Sequence, residues 1–226
     1  LHHHFFKIKI LLIYLFELYI LYIINRLKKM TENRTLLNSS MDPFALFQEW
    51  FMEASKKEVN DPNAMNLSTI SKDMKPSSRM VLLKDFSNKG FIFYTNSKSK
   101  KGLSFLNNPN VALNFHWKSL LKQIRIEGEI NQVSDIDADE YFGTRNEESK
   151  LGAWASNQSR ELEDRKKLEE SILHYKNQFK DQKITRPPYW TGFRVAPNLM
   201  EFWQDMPFRL HDRLEYKKIN NQWISK

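Results

Sequence analysis

Apolar positions along the chain change their spacing after residue 41, and the first regular pattern there is helical. Asp42 is suited to cap a helix with Pro43 in its first turn. The apolar residues that follow recur at helical spacing: Phe47, Trp50, Phe51 and Ala54. We therefore predict a helix with one apolar face that begins after Asp42 and ends before Asp61-Pro62.

Strand-like segments then follow at hairpin spacing, separated by turn residues rich in Asn, Gly and Pro. The predicted strands are Met65–Ile70, Arg79–Lys84, Phe91–Thr95, Val111–Trp117 and Leu121–Ile130. A helical stretch is predicted from about Asp135 to Lys180. Three more strands are predicted near the end: Thr191–Val195, Met200–Trp203 and Phe208–Tyr216. Late strands that return to the first sheet predict an α+β barrel.

Composition and charge narrow the classes of function. A chain of 226 residues that is 41% hydrophobic is long enough for one sizeable core. It has no cysteine, which excludes disulfides and thiolate chemistry and favours a cytoplasmic location. Half of the net charge of +8 lies in residues 1–41, and the rest is scattered. A domain without a basic stripe is not typical of nucleic-acid binding.

The first 41 residues differ from the remainder. Apolar runs over residues 10–16 and 18–24 are interrupted by Glu17 and followed by Arg26 and Lys28. This pattern is typical of a membrane anchor over residues 8–25, but a carboxylate at the bilayer centre costs about 2.5–3.5 kcal/mol. We expect residues 1–41 to be a non-native or disordered leader, with a genuine anchor as the alternative. Residues 42–226 are then the functional domain.

Cationic residues mark two candidate anion sites. Side chains alternate along a strand, so Arg79 and Lys84 are predicted on opposite faces and would serve two different anions. Solvated cations on an edge strand are the alternative. Further along, the strand end Tyr94–Asn96 leads into a helix start at Ser99–Lys101. Free backbone N–H groups and the helix dipole favour an anion at such a junction, although an ordinary surface helix has the same sequence.

A third candidate anion site is suggested by residues at helical spacing. Tyr141, Arg145 and Ser149 are four residues apart, so an unbroken helix would place them on one face. A phenol, a guanidinium and a hydroxyl together suit a phosphate, which Arg can bind through two hydrogen bonds. A solvated helix face is the alternative.

The run Arg209–Arg213 carries a fourth group. As a strand, it would set Arg209, His211 and Arg213 side by side. Neighbouring cations repel each other unless an anion or a ring system lies against them. The upstream Trp203 could pack on a flat ligand or fill the barrel core.

Neutral hydrogen-bonding residues complete the candidate site. Gln123 on a predicted strand and the pair Gln158-Ser159 suit the carbonyls and ring nitrogens of a heterocycle. The sequence offers no paired carboxylates, metal-ligand cluster or Ser-His-Asp arrangement. We therefore expect no metal, and we expect a bound cofactor to carry the difficult chemical step.

Several runs, in this order, resemble the pyridoxamine (pyridoxine) 5'-phosphate oxidase family. They are Asp42-Pro43-Phe44 with Trp50, Arg79–Lys84, Phe93–Asn96, Gly152–Trp154 with Gln158-Ser159, Pro188–Trp190 with Gly192–Arg194, Glu201–Trp203, and Arg209–Arg213. The resemblance covers roughly residues 42–225, and its last two runs are the most specific. Lys100 departs from the family, which commonly has an Arg there.

The resemblance implies an antiparallel, FMN-binding split β-barrel of the α+β class, with flanking helices, that forms a homodimer with FMN between subunits. It implies oxidation of pyridoxamine or pyridoxine 5'-phosphate to pyridoxal 5'-phosphate, with dioxygen reduced to hydrogen peroxide. The residues implied for FMN are Arg79, Met80, Val81, Leu82, Lys84, Tyr94, Thr95, Lys100, Lys101, Gln123, Gln158, Ser159, Trp203 and Arg213. Those implied for the substrate phosphate are Lys84, Tyr141, Arg145 and Ser149, and the catalytic pair implied at the substrate ring is Arg209 and His211.

Two other functions stay open at this point. A split-barrel relative could bind FMN, a deazaflavin or haem and act on a different substrate, without needing the Tyr141 and Arg209 groups together. A basic protein that binds nucleic acid or a membrane surface is the second, and the scattered charge disfavours it.

Overall fold

The computed structural model describes residues 12–25, 37 and 40–226. Residues 12–25 are helical and their side chains are almost all exposed. Within these described ranges, no helix is both long and apolar enough to span a membrane. Residues 1–11, 26–36, 38 and 39 of the expected leader lie outside the described part of the chain.

The domain consists of a sheet with flanking helices. The helices are α1 (Pro43–Lys57), α2 (Lys100–Asn107), α3 (Asp135–Thr144), α4 (Glu147–Ala155) and α5 (Arg165–Gln178). The strands are β1 (Ala64–Ile70), β2 (Pro76–Leu82), β3 (Asp85–Ser87), β4 (Gly90–Asn96), β5 (Asn110–Trp117), β6 (Lys122–Gln132), β7 (Trp190–Gln204), β8 (Asp212–Ile219) and β9 (Gln222–Ser225). Short 3-10 turns cover Lys118–Leu120 and Pro207–Arg209.

The strands form one antiparallel sheet in the order β2-β1-β5-β6-β7-β4-β3. Strand β7 pairs with β4 through its first half and with β8 through its second half, so the sheet branches there. Just after β2, the Lys84 N–H donates to the carbonyl of Ile92 on β4 at 2.8 Å. This bond joins chain segments near opposite ends of the strand order, so the sheet curls into a barrel. The α+β antiparallel barrel expected from the sequence is confirmed.

Helix α1 fills the barrel. Its cap is Asp42, whose carboxylate accepts hydrogen bonds from two backbone N–H groups of the first turn. Phe47 and Trp50 are fully buried. The ring of Phe47 lies 4.8 Å from that of Phe91, and Trp50 meets Phe202 edge to face at 5.3 Å. The predicted apolar face of this helix therefore forms the centre of the core.

The two strands predicted over residues 191–195 and 200–203 are a single strand, β7. The residues between them form a bulge within the strand instead of a turn. Pro197 lies opposite Gly128 there, and the register shifts between Glu127 and Gly128. A Cβ on Gly128 would lie 2.2 Å from the carbonyl oxygen of Ala196. Only glycine allows the two backbones to approach so closely.

The helical stretch predicted over residues 135–180 is broken into three helices. Helix α3 ends at Thr144, and Arg145 adopts an extended conformation with φ −71° and ψ 150°. Asn146 then caps α4 by accepting a hydrogen bond from the Ser149 N–H at 2.8 Å. The stretch is helical as predicted but interrupted, and the condition of one unbroken helix for Tyr141, Arg145 and Ser149 is not met, because this local cap overrides the helical periodicity.

The strand predicted over residues 208–216 begins only at Asp212. Phe208 and Arg209 have positive φ angles of 58° and 62°, and Pro207–Arg209 forms a 3-10 turn. Alternation therefore does not apply to Arg209 and His211, and the prediction that they lie in a strand beside Arg213 was wrong. The short strands β3 and β9 were not predicted.

The packing around Phe47 predicts a large loss of stability on truncation. Replacing Phe47 by Ala should lower the free energy of unfolding by about 3–5 kcal/mol, because the barrel closes around the ring and cannot fill the cavity. Met52→Ala on the exposed side of the same helix should change it by less than about 0.5 kcal/mol. Chemical denaturation at one protein concentration measures both, and similar losses would contradict the assignment of α1 as the core.

Candidate active site

One cleft gathers most of the residues singled out in the sequence. It has a volume of about 620 Å³ and lies between the end of β2, β4 and the start of α4. Its lining residues are Arg79, Met80, Val81, Leu82, Lys84, Tyr94, Thr95, Lys101, Tyr141, Arg145, Asn146, Ser149, Gln158 and Trp190. Residues as far apart in the sequence as Arg79 and Trp190 therefore share one surface.

The cleft is strongly positive. Four of its lining residues are cations: Arg79, Lys84, Lys101 and Arg145. No Asp or Glu lines it among the residues that the structure describes. A concave surface with charge of one sign attracts ligands of the opposite sign. The chemistry of the lining therefore favours an anionic ligand.

Arg79 is oriented by neutral groups. Its guanidinium donates to the Leu67 carbonyl at 3.0 Å, to the Thr69 hydroxyl at 2.9 Å and to the Ser77 hydroxyl at 2.8 Å. Burial lowers the pKa of Arg79. Strand β2 ends at Leu82, before Lys84, so both cations reach the same cleft rather than opposite sides. The alternation predicted for this pair was wrong for that reason.

Lys101 lies deeper in the same surface. Its ammonium donates to the hydroxyl of Ser99, the cap of α2, at 3.1 Å and to the side-chain carbonyl of Gln158 at 2.6 Å. Thr95 donates to that same Gln158 oxygen at 3.2 Å. Burial, and then the nearby charge of Arg79, lower the pKa of Lys101 to about 8. The strand end and the helix start expected to form an anion site thus converge on one buried cation.

An aromatic wall faces these cations. The rings of Tyr94 and Tyr141 stack with centroids 3.9 Å apart, and Tyr94 lies 5.2 Å from Trp190 in a nearly parallel plane. The guanidinium of Arg145 sits 4.8 Å from the Trp190 ring centroid. Its Nη1 is buried and has no hydrogen-bond partner within the described chain. Burial lowers the pKa of Arg145, so an anion beside it would be stabilising.

Tyr141, Arg145 and Ser149 share the cleft although no single helix carries them. The extended residue Arg145 links α3 to α4, and the turn keeps the three side chains together. Two lining residues were given no role from the sequence. Asn146 could have been recognised as a cap before two Glu residues, and Trp190 belongs to a family run without an obvious polar function.

A second group of predicted residues forms what we call the C-terminal patch: Gln123, Trp203, Arg209, His211 and Arg213. Gln123 pairs with Trp203 across β6 and β7, and Trp203 pairs with Arg213 across β7 and β8. Directly paired residues project on the same side of a sheet. The His211 ring lies 4.6 Å from the Trp203 ring, and Arg209 is exposed. These five described residues do not line the cleft of their own chain.

Two further residues implied for the cofactor also lie outside the cleft lining. Lys100, at the first position of α2, is exposed. Ser159 is exposed in the loop after α4 and has a positive φ of 66°. Both are next in sequence to lining residues, Lys101 and Gln158.

The curled antiparallel sheet, the positive cleft and the aromatic wall define a split-barrel protein with an anion-binding site. Residues 51–178 match the family model described as pyridoxamine 5'-phosphate oxidase. Residues 190–226 match the model described as the pyridoxine 5'-phosphate oxidase C-terminal dimerisation region. The chain belongs to the pyridoxamine 5'-phosphate oxidase family, as its sequence motifs predicted.

Individual relatives agree with this assignment. A pyridoxine/pyridoxamine 5'-phosphate oxidase of Caulobacter vibrioides (strain NA1000 / CB15N) is 51% identical over 190 residues, which is 84% of this chain and 86% of the relative. One from Gluconobacter oxydans (strain 621H) is 52% identical over 188 residues, covering 83% and 94%. The crystal structure of PhzG from Burkholderia lata 383 in complex with tetrahydrophenazine-1-carboxylic acid has a TM-score of 0.77 and 28% identity, covering 84% and 93%.

The lowered pKa of Lys101 predicts how stability depends on pH. Between about pH 8 and the ordinary value of 10.5, the folded protein has released a proton that the unfolded chain still binds. The contribution of Lys101 to the free energy of unfolding therefore rises with pH across that window. We measure the free energy of unfolding of the ligand-free proteins as a function of pH. Relative to Lys101→Met, the wild type should become more stable as the pH rises above about 8.

Its exposed neighbour provides the control for this measurement. Lys100→Met removes the same charge from the adjacent, exposed position, so it controls for the loss of one lysine from this segment. If the two variants give parallel curves, Lys101 is not the desolvated group described above.

Proposed function

We propose that this protein is an FMN-dependent oxidase that converts pyridoxamine 5'-phosphate or pyridoxine 5'-phosphate to pyridoxal 5'-phosphate. Dioxygen is the electron acceptor and is reduced to hydrogen peroxide. The observation that carries the proposal is a cleft with four cations and no carboxylate among the described residues, walled by nearly parallel aromatic rings. Two phosphate-bearing aromatic molecules side by side would match that surface in charge and in shape.

The donor set of the cleft fits FMN. Lys101 is buried with neutral hydrogen-bond partners, and a phosphate beside it would favour its charged form. The residues that would hold FMN in one subunit are Arg79, Met80, Val81, Leu82, Lys84, Tyr94, Thr95, Lys100, Lys101, Gln158 and Ser159. When bound, FMN supplies the two-electron redox chemistry that the side chains lack.

The substrate phosphate is assigned to Lys84, Tyr141, Arg145 and Ser149. Arg145 is held against Trp190, and its buried Nη1 would gain an acceptor from the phosphate. Anchoring one end of the substrate restricts the position of its ring, so that the carbon to be oxidised stays close to the cofactor. The side chains thus act by positioning, and the aromatic wall excludes water on that side.

The C-terminal patch is assigned to the cleft of a partner subunit. Four of its five residues, Trp203, Arg209, His211 and Arg213, lie within the region that matches the family's dimerisation model. Trp190 in the cleft and Trp203 in the patch are thirteen residues apart on β7, a separation of up to about 43 Å along an extended strand. Phe208 and Leu210 beside Arg209 are 92% and 75% exposed, which is typical of a contact surface.

In this arrangement each active site combines two chains. Gln123, Trp203 and Arg213 of one subunit would contact the FMN bound by the other. Arg209 would cover the face of the substrate that is turned away from FMN, and His211 would contact its ring substituents. The exposed, left-handed backbone at Arg209 presents its side chain outward from the patch.

The activity is tested on the purified full-length protein. We expect a yellow protein that releases FMN, and oxygen-dependent formation of pyridoxal 5'-phosphate and hydrogen peroxide from either substrate. A colourless protein that FMN does not reconstitute would contradict the flavin assignment. A yellow protein inactive towards both substrates would instead favour a split-barrel flavoprotein with a different substrate.

Mixed dimers test the assignment of the two clusters to one shared site. Arg145→Met damages the cleft and Arg209→Ala damages the patch, so each homodimer should lose turnover while Arg209→Ala retains its FMN. A mixed dimer contains one intact cleft that faces one intact patch. Random mixing of the two variants should therefore restore about a quarter of the wild-type activity.

The control pairs two lesions in the same cluster. Lys84→Met and Arg145→Met both damage the cleft, so their mixed dimers should regain no activity. Recovery in that pair, or no recovery in the first, would show that the active site is not divided between subunits. Equal loss of FMN and turnover in Arg209→Ala would contradict the role given to Arg209.

A further inference from the structure

We propose that Asp205 is a positioning residue that keeps a proton on Nδ1 of His211, so that Nε2 is the ring nitrogen that meets the substrate. The inference rests on the proposed function, in which His211 contacts substituents of the substrate ring. It assigns a role to a residue that sequence motifs did not single out.

The loop between β7 and β8 brings the two residues together. Asp205 is its first residue, and its backbone N–H donates to the carbonyl of Leu121 at 2.8 Å. His211 is the last residue before β8, and its Nδ1 lies 2.9 Å from the Asp205 carboxylate. The contact therefore joins the two ends of the loop that carries Arg209.

The imidazole of His211 is restrained from two directions. Its ring packs on Trp203 at 4.6 Å, and its Nδ1 edge faces Asp205. The side chains of Asp205 and His211 are only 16% and 20% exposed. Little water can compete for this contact, so it is stronger than an ion pair at the open surface.

Two neighbours of Nδ1 require opposite protonation. The carboxylate of Asp205 needs a proton on Nδ1, whereas the Met206 N–H, 3.2 Å away, needs a bare nitrogen. The contact with Asp205 is shorter and is assisted by charge, and such hydrogen bonds are about twice as strong as neutral ones. We therefore place the proton between Nδ1 and Asp205. Without that carboxylate, Met206 would select the opposite tautomer.

The tautomer matters because the two ring nitrogens point in different directions. With Nδ1 held by Asp205, Nε2 is the ring nitrogen left to exchange a hydrogen bond with the substrate. Both proposed substrates carry an amino or a hydroxyl group at the carbon to be oxidised, which suits that contact. Asp205 acts here through His211 and does not touch the substrate.

The tautomer can be read directly in the FMN-loaded, full-length protein with ¹⁵N-labelled histidine. The His211 signals are assigned by their loss in His211→Asn. We expect a protonated Nδ1 in wild type and a bare Nδ1 with a protonated Nε2 in Asp205→Ala. Asp205→Asn should keep Nδ1 protonated, because its amide oxygen still accepts. Glu215→Gln, which removes a carboxylate paired with Lys217 on β8, should match wild type.

Kinetics provide the second measurement. Asp205→Ala should lower kcat by about ten- to a hundredfold, the loss expected for one charge-assisted hydrogen bond, with little change in KM or in FMN content. Asp205→Asn should recover most of that loss. A general folding defect would instead lower FMN content and would not depend on which side chain replaces Asp205.

Three results would overturn the inference. They are a bare Nδ1 in wild type, an unchanged tautomer in Asp205→Ala, or an unchanged kcat in that variant despite a changed tautomer. Failure of the proposed function looks different, since wild type would then lack FMN or oxidise neither substrate. The NMR measurement still decides the tautomer in that case.

Discussion

The site depends on positive charge that the protein orients but does not neutralise. Arg79 is held by a backbone carbonyl and hydroxyls, and Lys101 by a hydroxyl and the amide of Gln158. Neutral acceptors fix the direction of a cation without cancelling its charge, so an anion still gains most of the electrostatic energy when it binds. The pKa of Lys101 is lowered to about 8 because burial removes water from its charged form in the ligand-free protein.

A rigid barrel makes that arrangement possible. Helix α1 buries Phe47 and Trp50 at the centre of the sheet, and the backbone bond from Lys84 to Ile92 closes the sheet beside the cleft. Strand β7 then connects the two functional clusters, with Trp190 in the cleft and Trp203 in the C-terminal patch. Trp190 and Trp203 lie near opposite ends of this strand, and the patch residues do not line the cleft of their own chain. The proposed sharing of each site between two subunits agrees with this separation.

Much of the fold could be predicted from alternation and helical spacing, because both patterns report on one buried face. The apolar face of α1 and most strand positions are of this kind. The errors lie where a local interaction overrides the pattern. Asn146 caps a new helix and so interrupts a helical spacing of residues that continues in the sequence. The bulge at Gly128 lets β7 continue as one strand where the sequence suggested two. The cleft could not be predicted from such patterns. It depends on contacts between distant segments, such as Lys101 with Gln158, and the spacing of residues holds no information about them.

The loop from Asp205 to His211 illustrates the same limit at the patch. Its residues Phe208 and Arg209 both adopt left-handed backbone conformations, which cost on the order of 1–2 kcal/mol each for residues with a Cβ. Alternation predicted a strand there, since nothing in the residue types signals positive φ angles. The contacts of Asp205 with Leu121 and His211 hold the two ends of the loop that contains this turn. A single carboxylate thus links the strained backbone at Arg209 to the orientation of His211.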